Sequence, residues 1–218
     1  MLFLDFLGAS KIDRLFIVGD FFDFWFGRGE QIFPDFKPVI AKLMALIDAG
    51  VQIGLCEGNH DFFLEDYFTK IPGFKVFPDS ALIDLDGRKT LIAHGDLVDG
   101  ENKGYLMLRK ILRSRLFYRL QQNIPSPLLW TIARISSSTS RELYPQLEEQ
   151  LVQKMLAFAM DQFREGVDNV ILGHSHKPLL KEIDMADGRK TFATLGDWMR
   201  HNSYLCHEEG KFSLLFYK

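Results

Sequence analysis

Four short motifs hold the residues best suited to chemistry. They are Gly19-Asp20-Phe21-Phe22-Asp23, Gly58-Asn59-His60-Asp61, Ala93-His94-Gly95-Asp96 and Gly173-His174-Ser175-His176. Four of the six histidines of the 218-residue chain fall within them. Asp, Asn and His with no thiolate among them form a donor set for a hard-to-borderline divalent cation. A lone Gly-Asp or His-Gly-Asp carries no weight; the information lies in the four motifs and their order.

Such side chains work only if the fold brings them to one place. Each motif follows a short aliphatic or β-branched run, at 15–18, 51–55, 90–93 and 170–172. These runs read as strands, and α/β sheets carry their ligand loops at the carboxyl ends of strands. Between the runs, apolar periodicity and breaker residues predict helices at 36–49 and 62–70, with Gly50 a stop for the first. Further helices are predicted at 102–122, 128–135 and 143–164. Asp86-Gly87 marks a hairpin between strands 81–85 and 89–93. The later part returns to strands at 169–172, 179–184, 190–195, 203–207 and 212–217, with turns at Asp187-Gly188 and Glu209-Gly210. The expected architecture is one α/β domain spanning 1–218, a two-sheet sandwich flanked by helices. A helical block from about 101 to 165 interrupts it as a cap insertion. The alternative is that these helices only cover one face of a sheet.

Composition sets the outer limits. With 47% hydrophobic and 25% charged residues the chain reads as an ordinary globular protein. Twenty phenylalanines point to an aromatic-rich core or an apolar exposed surface. No apolar run approaches bilayer-spanning length, and the N-terminus carries no secretory signal pattern. Two cysteines fit a reducing compartment, and Cys56, within an apolar strand, reads as a buried thiol. Charge is uneven. Residues 102–141 hold eight basic side chains (Lys103, Arg109, Lys110, Arg113, Arg115, Arg119, Arg134 and Arg141) and no Asp or Glu, while the remainder carries a net −11. A basic segment on an acidic body suits an anionic partner. Because these cations are interleaved with Leu, Ile, Phe, Tyr and Trp, anionic lipid is favoured over nucleic acid.

The four motifs, in their order, resemble the calcineurin-like metallophosphoesterases. That resemblance implies two divalent ions, with Mn²⁺ favoured by oxygen and imidazole donors and Fe²⁺ or Zn²⁺ as alternatives. It implies that Asp20 bridges the ions, that Asn59, His94 and His174 complete one site, and that His176 joins Asp20 at the other. It makes His60 the catalytic residue that faces the scissile phosphate. Asp61, Asp23 and Asp96 become supporting residues, with Asp61 and Asp23 orienting histidines. Asp197 in Leu195-Gly196-Asp197-Trp198 is either near the site or a turn residue, and His201 and His207 are expected to face solvent. The family pattern also begins with an Asp-x-His, which does not precede Asp20 here. A strand ending in that pair is expected before the opening helix, so one site has its full set and the other two of its four protein ligands.

A narrower resemblance is to the UDP-2,3-diacylglucosamine hydrolases of lipid A synthesis, carried by Gly19 to Gly27, Asn59-His60-Asp61-Phe62-Phe63-Leu64, Gly104-Tyr105, His174 to Pro178 and Leu195 to Trp198. It implies a lipid-linked UDP-sugar as substrate, peripheral association with an anionic membrane and a cytoplasmic location at the inner membrane. It implies substrate contacts from Asn102, Tyr105, Arg109, Ser138 and Arg141. The chain departs from that group in having His60 where its best-known members have Arg. Two alternatives stay open: a phosphoesterase for a soluble nucleotide or phosphoprotein, and a non-catalytic scaffold of the same fold.

Overall fold

The computed structural model describes residues 2–25, 32–100, 102–121, 123–125, 127–128, 131 and 145–218. The chain forms two compact units. One comprises Met1–Pro78 and Gly100–Glu142, the other Asp79–Asp99 and Leu143–Lys218. The fold class is α/β, with sheets flanked by helices, as the strand–helix alternation predicts.

In the first unit, α1 (Leu2–Ala9) leads into β1 (Arg14–Val18). Helix α2 (Lys37–Asp48) crosses over to β2 (Gln52–Cys56), and Gly50, at φ 95°, ends the helix run. A short α3 (Glu65–Phe68) precedes β3 (Phe74–Phe77). The three strands are parallel in the order β1-β2-β3. Val18 pairs with Cys56, so the Gly-Asp and Gly-Asn-His-Asp loops leave adjacent strand ends. The core is built from Leu7, Ile17, Ile40, Leu43, Ile53, Leu55 and a dense aromatic group. Phe22 lies at its centre, with ring centroids 4.7 Å from Trp25, 4.9 Å from Phe36 and 6.1 Å from Phe68. Much of the phenylalanine excess is therefore spent on fixing the loop after β1.

In the second unit, β4 (Ser80–Leu85) and β5 (Arg88–Ala93) form the predicted hairpin. Asp86 and Gly87 adopt φ 53° and 79°, the positive pair that a two-residue hairpin turn requires. The long α6 (Pro145–Arg164) follows. It buries Val152, Met155, Ala159 and Phe163, a helical 3-4-4 spacing, in one core with Val170, Leu172 and Phe192. Each of these side chains larger than alanine contributes about 1.5–3 kcal/mol. Strands β6 (Asn169–Leu172), β7 (Pro178–Met185) and β8 (Gly188–Leu195) complete a five-stranded mixed sheet in the order β4-β5-β6-β8-β7. β9 (Ser203–Glu208) and β10 (Lys211–Phe216) form a separate antiparallel pair. Ala93 pairs with Leu172, which brings His94 and the Gly-His-Ser-His turn to the same edge of the sheet.

Three elements differ from expectation. The helix expected over 62–70 is limited to α3, because Phe63 takes φ 62° and the Leu64 amide is claimed by the Glu57 carboxylate, 2.7 Å away. The helix expected over 102–122 is broken into α4 (Lys103–Leu112) and α5 (Arg115–Gln121). At the break the Arg113 side chain turns inward to Glu57, and the Ser114 hydroxyl accepts from the Phe117 amide at 3.2 Å. Strand β3 was missed because the charged Lys75 interrupts its four residues, whereas the equally short β6 carries an unbroken Val-Ile-Leu run. Most of the helix expected over 128–135 falls on residues outside those described.

Candidate functional site

The loop after β1 is turned by Gly19 and Asp20, at φ 78° and 51°. Asp61, fully buried, holds it in place. One of its oxygens accepts the amides of Asp20 and Gly58, both at 2.9 Å, and the other those of Phe21 at 2.7 Å and Phe22 at 3.2 Å. A carboxylate bound by four converging N–H groups locks two loops together. Asp61 thus sets the backbone of both loops. The Asp20 carboxylate in turn accepts the His60 amide at 2.9 Å. Gly58 is obligatory for this arrangement: a Cβ there would lie 2.2 Å from Asp20 Oδ1 and 2.3 Å from its amide nitrogen. Asn59 and His60 are half-buried, and Asp23 is exposed.

Glu57, only 4% exposed, carries the other anchorage of this loop. Its Oε1 accepts the Leu64 amide and its Oε2 faces Arg113 Nη1 at 3.0 Å. Neither this role of Glu57 nor that of Arg113 was anticipated. The available signal was a carboxylate placed directly after the buried strand β2. Arg113 is correspondingly not one of the exposed cations of the basic segment, its side chain being 13% exposed.

In the second unit His94 is buried at the end of β5. Gly95, at φ 102°, lets the chain pass Met155, whose Cε would lie 2.9 Å from a Cβ. His174 and His176 both take left-handed conformations, φ 62° and 53°, with Ser175 fully buried between them. His174 Nδ1 lies 3.1 Å from His94 Nε2. Two nitrogens that share one ion at bond lengths of about 2.0–2.1 Å are separated by a similar distance, so the pair fits a metal ion. His176 Nδ1 lies 3.6 Å from Asp197 Oδ2. Asp197 is itself fixed by the amides of Met199, Arg200 and His201, at 2.9, 2.6 and 3.3 Å. Burial works to raise its pKa, but those amides and the nearby His201 outweigh it and hold the carboxyl below its ordinary range. Asp197 is therefore a turn residue whose carboxylate also approaches His176. Asp96 is buried.

His201, expected to face solvent, is half-buried with Nδ1 3.3 Å from Asp197. His207 is also half-buried, its ring 4.7 Å from that of Phe212. Among the expected substrate residues, Asn102 caps α4 by accepting the Tyr105 amide at 3.1 Å. Tyr105 and Arg109 are half-buried on α4, and Ser138 and Arg141 lie outside the described residues.

Strand-end loops bearing one carboxylate, an amide and paired imidazoles define a metallophosphoesterase, and comparison with known proteins gives the same class. The profile of the calcineurin-like phosphoesterases matches residues 1–178, and the chain belongs to that family of metal-dependent hydrolases. It is 32% identical to a UDP-2,3-diacylglucosamine hydrolase of Pseudomonas savastanoi pv. phaseolicola, over 97% of this chain and 86% of that protein. Proteins of the same name from Pseudomonas syringae pv. syringae and Stenotrophomonas maltophilia are 31% and 32% identical, over 97% and 98% of this chain and 86% and 90% of their own. No described helix is long and apolar enough to cross a membrane.

Proposed function

We propose that this chain hydrolyses the diphosphate of a lipid-linked UDP-sugar of the UDP-2,3-diacylglucosamine type, releasing UMP and a lipid sugar phosphate. The similarity along 97% of the chain to hydrolases of that name carries the reading. Asp20, His94 and His174 offer one carboxylate and two imidazoles, and with Asn59 they would hold one divalent ion. His176 and Asp20 would serve a second. The donors favour Mn²⁺, with Fe²⁺ or Zn²⁺ as alternatives. Bound ions would supply Lewis acidity toward the phosphoryl oxygens and a nucleophilic water.

The residues of the chain do the rest. Water oxygen bonds to phosphorus as the bridging P–O bond breaks; His60 delivers a proton to the departing oxygen, and the proton that the water releases replaces it. Its amide, tied to the Asp20 carboxylate, fixes how far the imidazole reaches. Asp197 steadies His176. The helical block from about 101 to 165 acts as a cap insertion within a single domain, with Asn102, Tyr105, Arg109, Ser138 and Arg141 as its substrate contacts. Exposed Met107, Leu108, Ile111, Leu116 and Leu120 beside Lys110, Arg115 and Arg119 support acyl chains and an anionic bilayer as what this segment meets. On this reading the protein acts at the cytoplasmic face of the inner membrane.

His60, where an Arg is found in the best-known hydrolases of this group, favours a second reading: a phosphoesterase for soluble nucleotides. Hydrolysis of UDP-2,3-diacylglucosamine and of UDP-N-acetylglucosamine with Mn²⁺ separates the two. The acylated substrate should be preferred, and equal rates would favour the soluble one. His60→Ala should lower kcat by a factor of roughly 100 to 10,000 while Mn²⁺ content is kept. Absence of hydrolysis in the metal-loaded parent would leave the scaffold reading.

A further inference from the structure

We propose that Arg113 and Glu57 are a positioning pair that sets the loop 57–64, and with it Asn59 and His60, from the break between α4 and α5. The inference rests on the reading of His60 given above and goes beyond it, because neither residue belongs to the motifs.

The contacts are concentrated on that one loop. Arg113 Nη1 donates to Glu57 Oε2 at 3.0 Å and to the Pro78 carbonyl at 3.1 Å. Its Nη2 donates to the Gly58 carbonyl at 2.8 Å. That carbonyl belongs to the peptide bond leading directly into Asn59. Farther along the loop, the guanidinium carbon lies 5.5 Å from the centroid of the Phe62 ring. Glu57 takes hold of the loop's far end through the Leu64 amide at 2.7 Å. One guanidinium and one carboxylate thereby fix the start, middle and end of eight residues.

Arginine is suited to this task and lysine is not. A planar fork can give parallel hydrogen bonds to a carboxylate and to two carbonyls, whereas an ammonium is a compact point charge. The pair is also nearly buried, with side-chain exposures of 13% for Arg113 and 4% for Glu57. Burying two charges is costly and seldom stabilises more than a well-filled apolar pair would. What the pair supplies is geometry. Arg113 caps the carboxyl end of α4, the helix that bears Tyr105 and Arg109. The helix that carries candidate substrate contacts and the loop that carries His60 are thus held by the same side chain.

The test compares the parent with Arg113→Ala, Arg113→Lys and Glu57→Gln. Arg189→Ala, which removes an exposed pair with Glu182 and Asp184, serves as control. Three quantities are measured: amide hydrogen exchange by peptide, bound Mn²⁺, and kcat and KM on bis(p-nitrophenyl) phosphate. In Arg113→Ala, exchange should rise about tenfold in peptides covering 57–64 and stay at the parent level in the hairpin 80–93. kcat should fall roughly 10- to 100-fold with KM within about threefold, and Arg113→Lys should recover only part of the loss. Unchanged loop exchange and kcat would overturn the proposal. So would exchange that rises equally in both units, since the pair would then be only general support. If Arg113→Ala does not fold, Arg113→Lys and Glu57→Gln decide by the same two readouts. A parent that binds Mn²⁺ but leaves the diester intact would count against the proposed function, while loop exchange would still decide the role of the pair.

Discussion

The two cysteines show how a residue's surroundings set its reactivity. Cys56 ends β2, is 1% exposed and lies near Asp61. Burial, and after it the Asp61 charge, push its thiol up to about 12. Since the thiolate is the reactive form, Cys56 should be inert to thiol reagents at pH 8 in the folded protein. Cys206 on β9 is half-buried and should react. Titration with an aromatic disulfide should therefore count one fast thiol per native chain and two after denaturation. Two fast thiols in the native state would mean that the end of β2 opens readily.

Helices α4 and α5 carry the property that the basic segment suggested from sequence. Met107, Leu108, Ile111, Leu116 and Leu120 are 48–69% exposed, and Lys110 and Arg119 are exposed among them. If this surface meets lipid, vesicles containing phosphatidylglycerol should retain the protein. Salt should release it, because attraction at the surface is screened over roughly 10 Å at 0.1 M. Lys110→Glu with Arg119→Glu should weaken retention and leave the thermal midpoint unchanged. Retention that survives both salt and the double substitution would point to apolar contact alone. The same elements show what sequence could and could not reveal. Periodicity gave α2, α6 and every strand of the second sheet, because each is long or bounded by a Gly-containing turn. It joined α4 to α5 because nothing local marks Arg113; the helix breaks for a carboxylate 56 positions away. The ligand candidates were legible as types and spacings. The Asp61 clamp, the grip of Glu57 and the approach of Asp197 to His176 depend on strand register, which spacing alone does not reveal.

Across the whole chain, acid stability should depend on one buried cation. Lys190 is 2% exposed, with Asp168 and Asp187 each 2.9 Å from its nitrogen. For Asp168, burial pulls the pKa upward, but the Lys190 and Lys89 hydrogen bonds prevail and hold it below the usual carboxylate range. For Lys190, burial pulls downward, but the hydrogen bonds and charges of Asp187 and Asp168 keep its pKa raised. A depressed carboxylate contributes stability that is full above its unfolded pKa of about 3.9 and fades as pH falls through the folded value. A raised ammonium contributes below about 10.4 and fades as pH rises through its folded value. Asp168→Asn should therefore cost about 1–3 kcal/mol in urea unfolding at pH 7, and the two proteins should converge near pH 3. A constant gap down to pH 3 would show that the carboxylate's charge is not what matters.

The left-handed backbone of His174 and His176 has a consequence for how this chain can change. A side chain other than glycine there costs about 1–2 kcal/mol, of which glycine's greater freedom in the unfolded chain returns about 0.5–1. A library selected for heat resistance alone, in the presence of a chelator, should therefore accumulate glycine at positions 174 and 176. Asp20 is equally left-handed at φ 51° but should persist, because its carboxylate receives the His60 amide. The toughest descendants would be those least able to bind an ion, and selection for durability would erode the activity.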